Sequence, residues 1–316
     1  MSNFIIVGCG NIGNEYSSIL NKQGHIIKLV IGAGNSNSHV KLAKKFNSEF
    51  STNISILNQF DYDGIIISIP TKEDLKWINN LPPTNILIEK PGQVKSSYLE
   101  DLNKGIHNIF IAYNRKFYDS YNHLQNFVNS QSKPCIVSVN IPEPINTQFE
   151  DIETQRPFNV TNNSCHIISI LRGVFGKLNL EKTFNKKKLF INRSALLNSI
   201  TSKGHIINLL ISLDEYSNTS IKVKGDKNSL LLQPIEESKE IIGLNSEIDL
   251  KDNVRKYFQL FGETKKSYCD FGFKPGFYKQ VEAFTKFCSS RENIMSSLTK
   301  IEEGIEIIKE IEYFLK

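Results

Sequence analysis

Three absences in the sequence narrow the class of protein. No apolar run reaches the length of about 18 residues that a membrane-spanning helix requires, so we expect no membrane partner. The start of the chain, MSNFIIVGCG, has no basic residue, and its apolar stretch is too short for a secretory signal peptide. We therefore expect a soluble, cytoplasmic protein.

Cysteine is scarce, and basic clusters are short. The five cysteines are odd in number and form no C-x-x-C pair, so we expect reduced thiols, neither a disulfide framework nor a zinc site, and no metal. The net charge of +5 comes mostly from dispersed lysines, with the densest cluster at residues 186–188. A solvated loop explains this cluster better than a nucleic-acid patch, so we expect no nucleic-acid partner.

What is present is a regular alternation of segments in the first part of the chain. With 316 residues, the chain exceeds the roughly 150 residues of a typical single domain, so we expect two domains. The periodicity of apolar residues predicts strands at residues 4–7, 25–31, 63–69, 85–88 and 108–113, and helices at residues 11–22, 38–46, 72–79 and 97–103. This alternation predicts an α/β fold, with a doubly wound parallel sheet of the Rossmann type over residues 1–118.

The second part of the chain, residues 119–316, has a different pattern. Strands are predicted at residues 136–141, 189–199, 205–213, 220–225 and 229–233, and helices at residues 164–175, 276–289 and 297–314. Strands that follow one another through turns indicate an antiparallel arrangement. We therefore expect a C-terminal α+β domain with a large, mostly antiparallel sheet that serves substrate binding and oligomerisation. Its last helices could pack back on the first domain.

A glycine motif lies between the first predicted strand and the first predicted helix. It has the G-x-G-x-x-G pattern of dinucleotide-binding turns and reads Gly8-Cys9-Gly10-Asn11-Ile12-Gly13. Gly8 permits a tight turn, Gly10 allows the backbone to approach a pyrophosphate, and Gly13 allows the helix to lie close to the strand. Asn11 and Ile12 open the helix, whose free N–H groups favour an anion. The motif predicts an NAD(P) site.

The loop after the second strand bears on the choice of cofactor. An NAD site usually has an acidic residue about 20 residues beyond the glycines, and residues 31–38 contain none. The loop is neutral and is followed by Lys41, Lys44 and Lys45, which slightly favours NADP. The loop contains no arginine that could bind the additional phosphate of NADP, so NAD remains an alternative. Ser36 is a candidate cofactor contact, or else a helix cap.

Further motifs occur in the order and spacing of a known family. They are Ile69-Pro70-Thr71, Glu89-Lys90-Pro91, Tyr113-Asn114-Arg115 and a downstream His166. Together with the glycine motif, they make nearly the whole chain resemble the Gfo/Idh/MocA family of oxidoreductases. The resemblance implies cofactor contacts at Ile69, Pro70, Thr71, Glu89, Lys90 and Asn114.

The resemblance also implies that Lys90 and His166 are catalytic. Hydride transfer from a carbinol requires removal of its hydroxyl proton, and a histidine with a reference pKa of about 6.5 can accept it near neutrality. A lysine with a reference pKa of about 10.4 would first need burial or a neighbouring positive charge. We therefore assign His166 as proton acceptor and Lys90 as the group that orients the oxygen. The alternatives are a structural histidine and a surface lysine.

The sequence departs from the family pattern near His166. Asn162 stands where many members have an aspartate, and Ser169 stands where another is usual. Asn162 can still bind a substrate hydroxyl but carries no charge. Arg115 and Arg156 are further candidate substrate contacts, although Arg115 could instead pair with a carboxylate. Tyr278 is either an aromatic substrate contact or a core residue.

These observations predict an NAD(P)-dependent dehydrogenase or reductase. Its substrate would be a small molecule with a secondary alcohol or ketone, such as a sugar, a nucleotide sugar or a cyclitol, and the protein would form a homodimer or homotetramer. One alternative is a non-catalytic NAD(P)-binding regulator of the same fold, which the missing aspartate favours. Another is a glycosidase-like enzyme that uses NAD for transient oxidation.

Overall fold

The computed structural model divides into two compact units. It describes residues 1–32, 37–71, 73, 75–143, 160–182, 194–213, 215–249, 251, 253–290 and 298–315. Unit 1 comprises Met1–Phe117 and Cys269–Glu312, and unit 2 comprises Tyr118–Tyr268 and Tyr313–Lys316. Nearly all of the two C-terminal helices therefore belongs to unit 1.

A seven-stranded sheet forms the centre of unit 1. Its strands are β1 (Asn3–Val7), β2 (Ile26–Ile31), β3 (Glu49–Ser51), β4 (Gly64–Ile67), β5 (Asn85–Glu89), β6 (Asn108–Ala112) and β15 (Thr299–Lys300). The strand order is β15-β6-β5-β4-β1-β2-β3, and all neighbours are parallel except β15, which pairs antiparallel with β6. This is the doubly wound order of the Rossmann fold, as the sequence predicted.

The helices of unit 1 enclose an apolar core. They are α1 (Asn11–Lys22), α2 (Ser38–Phe46), α3 (Ser96–Asn103), α6 (Phe277–Ser290) and the part of α7 (Ile301–Leu315) up to residue 312. Helix α1 buries Tyr16, Ile19 and Leu20 at helical spacing, so one face packs on the core. Helix α6 completes this core with Phe284 and Phe287.

Unit 2 has an eight-stranded sheet. Its strands are β7 (Ile136–Glu143), β8 (Glu181–Lys182), β9 (Ser194–Ile200), β10 (Ile206–Leu213), β11 (Ser220–Lys224), β12 (Ser229–Leu232), β13 (Glu237–Asp249) and β14 (Val254–Lys266). The order is β14-β13-β12-β11-β7-β10-β9-β8, with β7 and β10 parallel and the other neighbours antiparallel. The predicted, mostly antiparallel sheet is confirmed. Its helices are α4 (Asp119–Asn129) and α5 (Cys165–Phe175).

Strands β13 and β14 form a long hairpin at the edge of this sheet. Each has 13 residues, and every residue of β14 is exposed. The hairpin exposes many large apolar side chains, namely Ile242, Leu244, Ile248, Val254, Tyr257, Phe258, Leu260 and Phe261. A long apolar edge strand is a surface that readily pairs with another chain. Neither strand of this hairpin is among those predicted from the sequence.

The predicted helix at residues 72–79 needs correction. In the described part of this segment, the structure has only a short 3-10 helix, Lys76–Asn80. Asn79 and Asn80 favour helix ends, and Pro82 and Pro83 prevent continuation.

In the described ranges, no helix has the length and apolar character that crossing a bilayer requires.

Candidate functional site

The predicted cofactor motifs of unit 1 gather along one edge of its sheet. Gly8–Gly13 follows β1, residues 69–71 follow β4, Glu89 ends β5, and Asn114 lies just beyond β6. These four strands are neighbours and parallel, so their carboxyl ends share one edge. In open α/β sheets, this edge is where ligands bind, beside the point at which the strand order reverses. Here the reversal occurs at β1.

The glycine turn is tight at Gly8 and Gly13. Gly8 has a φ of +104°, and a Cβ built on it would lie 2.3 Å from the carbonyl oxygen of Ser68. A Cβ on Gly13 would lie 1.9 Å from the carbonyl oxygen of Gly8. Both positions therefore require glycine, the first for its conformation and its contact and the second for the close approach of α1 to β1.

Gly10 differs from these two glycines because its surroundings are open. A Cβ built on Gly10 meets no atom within 4 Å. Gly10 is the N-cap of α1, no side chain caps the helix, and its first turn contains no acidic residue. Uncapped N–H groups can donate hydrogen bonds to an anion, and the open space at Gly10 leaves room for a group such as a pyrophosphate.

Ser68 supports the glycine turn from β4, and sequence reasoning missed it. Its hydroxyl donates a hydrogen bond of 3.2 Å to the carbonyl of Gly8, and its backbone N–H donates one of 2.7 Å to the carbonyl of Val7. The signal for Ser68 was its position directly before the Ile69-Pro70-Thr71 motif at the end of a predicted strand.

The region after β2 is described only in part, and Ser36 lies outside the described residues. Gly32 is in tight contact, because a Cβ there would lie 2.6 Å from Cβ of His39 and 2.9 Å from Sγ of Cys9. Helix α2 has no acidic residue in its first turn, and Lys44 and Lys45 lie in its last turn. An anion near the start of α2 would therefore meet no carboxylate from that turn.

Glu89 is held by a buried tyrosine. The hydroxyl of Tyr16 donates a short hydrogen bond to Oε1 of Glu89 and lies 3.4 Å from Oε1 of Gln280. Burial raises the pKa of Glu89, and the Tyr16 hydrogen bond and the positive charge of Lys90 oppose this rise. Burial and the nearby Glu89 carboxyl raise the pKa of Tyr16. Tyr16 was not predicted as a site residue, because its position on the apolar face of α1 indicates only core packing.

Lys90 follows Glu89 at the edge of the sheet and is partly buried. The Lys90–Pro91 peptide bond is cis, and Gly92 has a φ of +84°. A Cβ on Gly92 would lie 2.8 Å from Cδ1 of Ile111. The positive φ of Gly92 and its contact with Ile111 therefore place a tight turn against β6.

Asn114 and Tyr278 are fixed by contacts within unit 1. Asn114 is buried, and its Nδ2 donates a hydrogen bond of 3.1 Å to the carbonyl of Pro275. The ring of Tyr278 packs at 4.6 Å from that of Phe271, and its carbonyl accepts a hydrogen bond of 3.1 Å from Gln23. Arg115 is partly buried. Their roles toward cofactor and substrate stay predictions.

His166 belongs to unit 2 and lies in the first turn of α5. The side chain is buried, with 7% of its surface exposed. A π-helical turn, Val160–Ser164, leads directly into α5. Such turns are rare and often occur at functional sites. The turn contains Asn162, whose side chain lies outside the described residues, as does all of Arg156.

A buried acidic residue that sequence reasoning missed holds this turn. Oε1 of Glu143 accepts a hydrogen bond of 2.5 Å from the hydroxyl of Ser164, and Oε2 accepts one of 3.0 Å from Nδ2 of Asn163. Glu143 is the last residue of β7, and its side chain is 1% exposed. No sequence motif indicated Glu143, because it lies some 20 residues before its partners.

Two kinds of chemistry follow from the described parts. The edge of the unit 1 sheet can bind an anionic dinucleotide, and it presents Lys90 beside a carboxyl group. The start of α5 presents a histidine next to a turn anchored by a carboxylate. Among the described residues, no group of three or more His, Cys, Asp and Glu side chains could hold a metal ion.

The fold matches known structures, although the sequence does not match known families. No protein-family model and no curated protein matches the chain. A UDP-N-acetylglucosamine 3-dehydrogenase from Acidithiobacillus ferrooxidans is similar with a TM-score of 0.73 and 11% identity, covering 100% of this chain and 99% of its own. An oxidoreductase from Thermotoga maritima has a TM-score of 0.76 and 14% identity, covering 100% and 96%.

A third similar structure contains ligands. The WlbA dehydrogenase from Chromobacterium violaceum, solved with NADH and UDP-GlcNAcA, has a TM-score of 0.70 and 13% identity, covering 97% of this chain and 90% of its own. Identities this low show the fold alone. The chain therefore has the two-domain fold of the Gfo/Idh/MocA-type oxidoreductases, as its sequence motifs predicted.

Proposed function

We propose that this protein is an NAD(P)-dependent oxidoreductase that transfers a hydride to or from a secondary alcohol or ketone of a sugar, nucleotide sugar or cyclitol. The observation that carries the proposal is the open, uncapped start of α1 at Gly10, on the same sheet edge as Lys90. An anion site alone would serve many functions. A lysine on the same sheet edge supports chemistry on a bound substrate.

The cofactor would be held by residues at the carboxyl edge of the unit 1 sheet. The backbone of Gly8–Gly13 would bind the pyrophosphate, with residues 69–71, Glu89 and Asn114 along the same edge. We propose NADP as the slightly preferred cofactor, because the first turn of α2 offers no carboxylate to a ribose hydroxyl. When bound, the nicotinamide supplies or accepts the hydride.

The proton would be handled by His166 and the substrate oxygen oriented by Lys90. Oxidation of a carbinol requires a proton acceptor for the hydroxyl group, and imidazole is suited to this near neutral pH. The lysine ammonium can donate hydrogen bonds that polarise a carbonyl in the reverse direction. Asn162, Arg115, Arg156 and Tyr278 remain candidate substrate contacts.

The similar structures support the substrate class. One is a dehydrogenase of UDP-N-acetylglucosamine, and another was solved with NADH and a UDP-sugar.

We propose that the dinucleotide-binding domain spans residues 1–118 and that the substrate domain spans residues 119–316. The segment Cys269–Glu312 of this second domain would pack on the dinucleotide-binding domain, because it belongs to unit 1.

We also propose a homodimer or homotetramer that works in the cytoplasm. The apolar hairpin β13–β14 supports self-association. All five cysteines are free, which suits a reducing compartment.

A fluorescence titration with NADH and NADPH tests the cofactor site. The Gly10→Val variant should keep its fold, since the Cβ position is open, and should lose binding because its side chain occupies the space of the pyrophosphate. Gly243→Val, on β13 with ordinary contacts, is the matched control and should bind as the unaltered protein does. Unchanged binding in Gly10→Val would refute the site.

A second experiment tests the reaction. Lys90→Ala and His166→Ala should lose turnover on a panel of sugars and nucleotide sugars under conditions in which a titration shows that each variant still binds the cofactor. Full turnover in both would overturn the residue assignment. Cofactor binding with no turnover by the unaltered protein would instead favour the regulator.

A further inference from the structure

Glu143 is a buried carboxylate that the proposed reaction does not use. It is the last residue of β7, a strand that lies between β10 and β11 in the sheet, and only 1% of its surface is exposed. Burying an ionised carboxylate is costly unless hydrogen bonds compensate it. Its two oxygens accept separate bonds from Ser164 and Asn163. Through these two bonds, one buried carboxyl group holds two neighbouring residues of one turn.

That turn determines where α5 begins. The N-cap of α5 is Ser164, and its side chain makes no capping hydrogen bond to the helix. The hydroxyl is directed to Glu143 instead. π-helical turns are rare, so we expect such a turn to need support from other parts of the fold. Glu143 supplies this support from a neighbouring strand.

A carboxyl group also suits this place. Helix α5 has 11 residues, and a carboxylate near its N-terminus is stabilised by the helix dipole. His166 is the second residue of this helix, two positions after Ser164. The path of the turn therefore sets the start of the backbone segment from which the imidazole projects.

We propose that Glu143 is a positioning residue, which fixes Ser164 and Asn163 and thereby the orientation of His166. The inference rests on the proposed function, because it gives His166 the proton-transfer role. In this chain the acidic residue that organises the start of the helix lies on β7, while the motif itself has Asn162. A purely structural carboxylate would stabilise unit 2 without affecting the histidine.

Three substitutions separate these two roles. Glu143→Gln preserves the shape and replaces the carboxyl group by an amide, and Ser164→Ala removes the hydroxyl group that donates to Glu143. Ser238→Ala is the matched control, because Ser238 is a fully buried serine of unit 2 whose hydroxyl bonds to His123 at 2.8 Å. It should lower thermal stability as Ser164→Ala does, without reaching His166.

The expected result is a loss of turnover with intact cofactor binding. Glu143→Gln should lower kcat on the order of 10- to 100-fold, since a small misplacement of a reacting group has effects of this size. The dissociation constant for NADH should not change. The double variant Glu143→Gln/Ser164→Ala should have a kcat no lower than that of Glu143→Gln, because the effects of substitutions within one hydrogen-bond network are not additive. Ser238→Ala should retain kcat.

An NMR measurement of the imidazole decides the inference independently of turnover. In the cofactor-free protein, the His166 ring resonances, assigned with His166→Gln, should shift in Glu143→Gln and Ser164→Ala and not in Ser238→Ala. Unchanged His166 resonances in folded Glu143→Gln would overturn the inference even if the enzyme is active. If Glu143→Gln does not fold, unchanged resonances in Ser164→Ala overturn it. Failure of the proposed function would appear separately, as no turnover by the unaltered protein.

Discussion

The contrast between Gly13 and Gly10 gives a quantitative test of the glycine turn. A Cβ on Gly13 would lie 1.9 Å from the Gly8 carbonyl oxygen and 3.0 Å from Oγ of Ser68. Because the nearest atom belongs to the backbone, Gly13→Ala must displace α1 from β1. Overpacking of this kind costs about 3 kcal/mol, and the better helix propensity of alanine offsets about 1 kcal/mol.

The net loss of about 2 kcal/mol converts into a measurable shift. For a unit of this size, each kcal/mol lowers the Tm by roughly 2–4 °C, so Gly13→Ala should unfold roughly 4–8 °C lower. In Gly10→Ala, the poorer N-cap costs about 1 kcal/mol, and reduced freedom of the unfolded chain offsets most of it. Its Tm should stay within about 2 °C of the original.

Trp77 offers a convenient probe for this experiment. It is the single tryptophan of the chain and lies in unit 1, so its fluorescence reports the unfolding of that unit. The NADH affinity of both variants should be measured beside the Tm. An unchanged Tm in Gly13→Ala, or an equal lowering of the Tm in Gly13→Ala and Gly10→Ala, would contradict the geometry derived for the turn.

Two further predictions concern Glu89 and the hairpin. Because the pKa of Glu89 is raised in the folded protein, the unfolded chain releases this proton first, and stability falls as the pH rises above the ordinary value of 4.5. Glu89→Gln should lack this fall, so in a thermal-shift series the Tm of Glu89→Gln minus that of the unaltered protein should increase with pH. A difference in Tm that stays constant with pH would contradict a raised pKa of Glu89. For the hairpin, Tyr257→Lys should move the mass measured by light scattering toward the 36.0 kDa monomer, while Tyr216→Lys, which is 97% exposed outside the hairpin, should not. An unaltered protein of 36.0 kDa would refute the association.

The fold of unit 1 could be predicted because its signals are local. Strand, glycine turn and helix follow one another within the first 22 residues, and each element has its own periodicity. The parallel order then brings the motifs after β1, β4, β5 and β6 to one edge without further information. For this reason the sequence alone could mark these motifs as candidate cofactor contacts, which stay predictions.

The hairpin β13–β14 could not be predicted in the same way. Strand prediction relies on alternation between buried and exposed positions, and every residue of β14 is exposed. Its sequence therefore mixes apolar and charged residues without a period of two. The pairing also passes through two irregularities near Ile241, which interrupt any alternation.

The missed site residues have one physical cause in common. Tyr16 reaches Glu89 across 73 positions, and Glu143 reaches Ser164 across 21 positions. Each is a long-range hydrogen bond between a buried side chain and a segment that a motif had already marked. A motif reveals residues whose spacing along the chain is fixed by the chemistry, but an anchoring group can come from any strand whose end lies nearby. The uncharged Asn162 therefore does not leave its turn without an acidic anchor, because Glu143 on β7 bonds to Asn163 and Ser164 of the same turn.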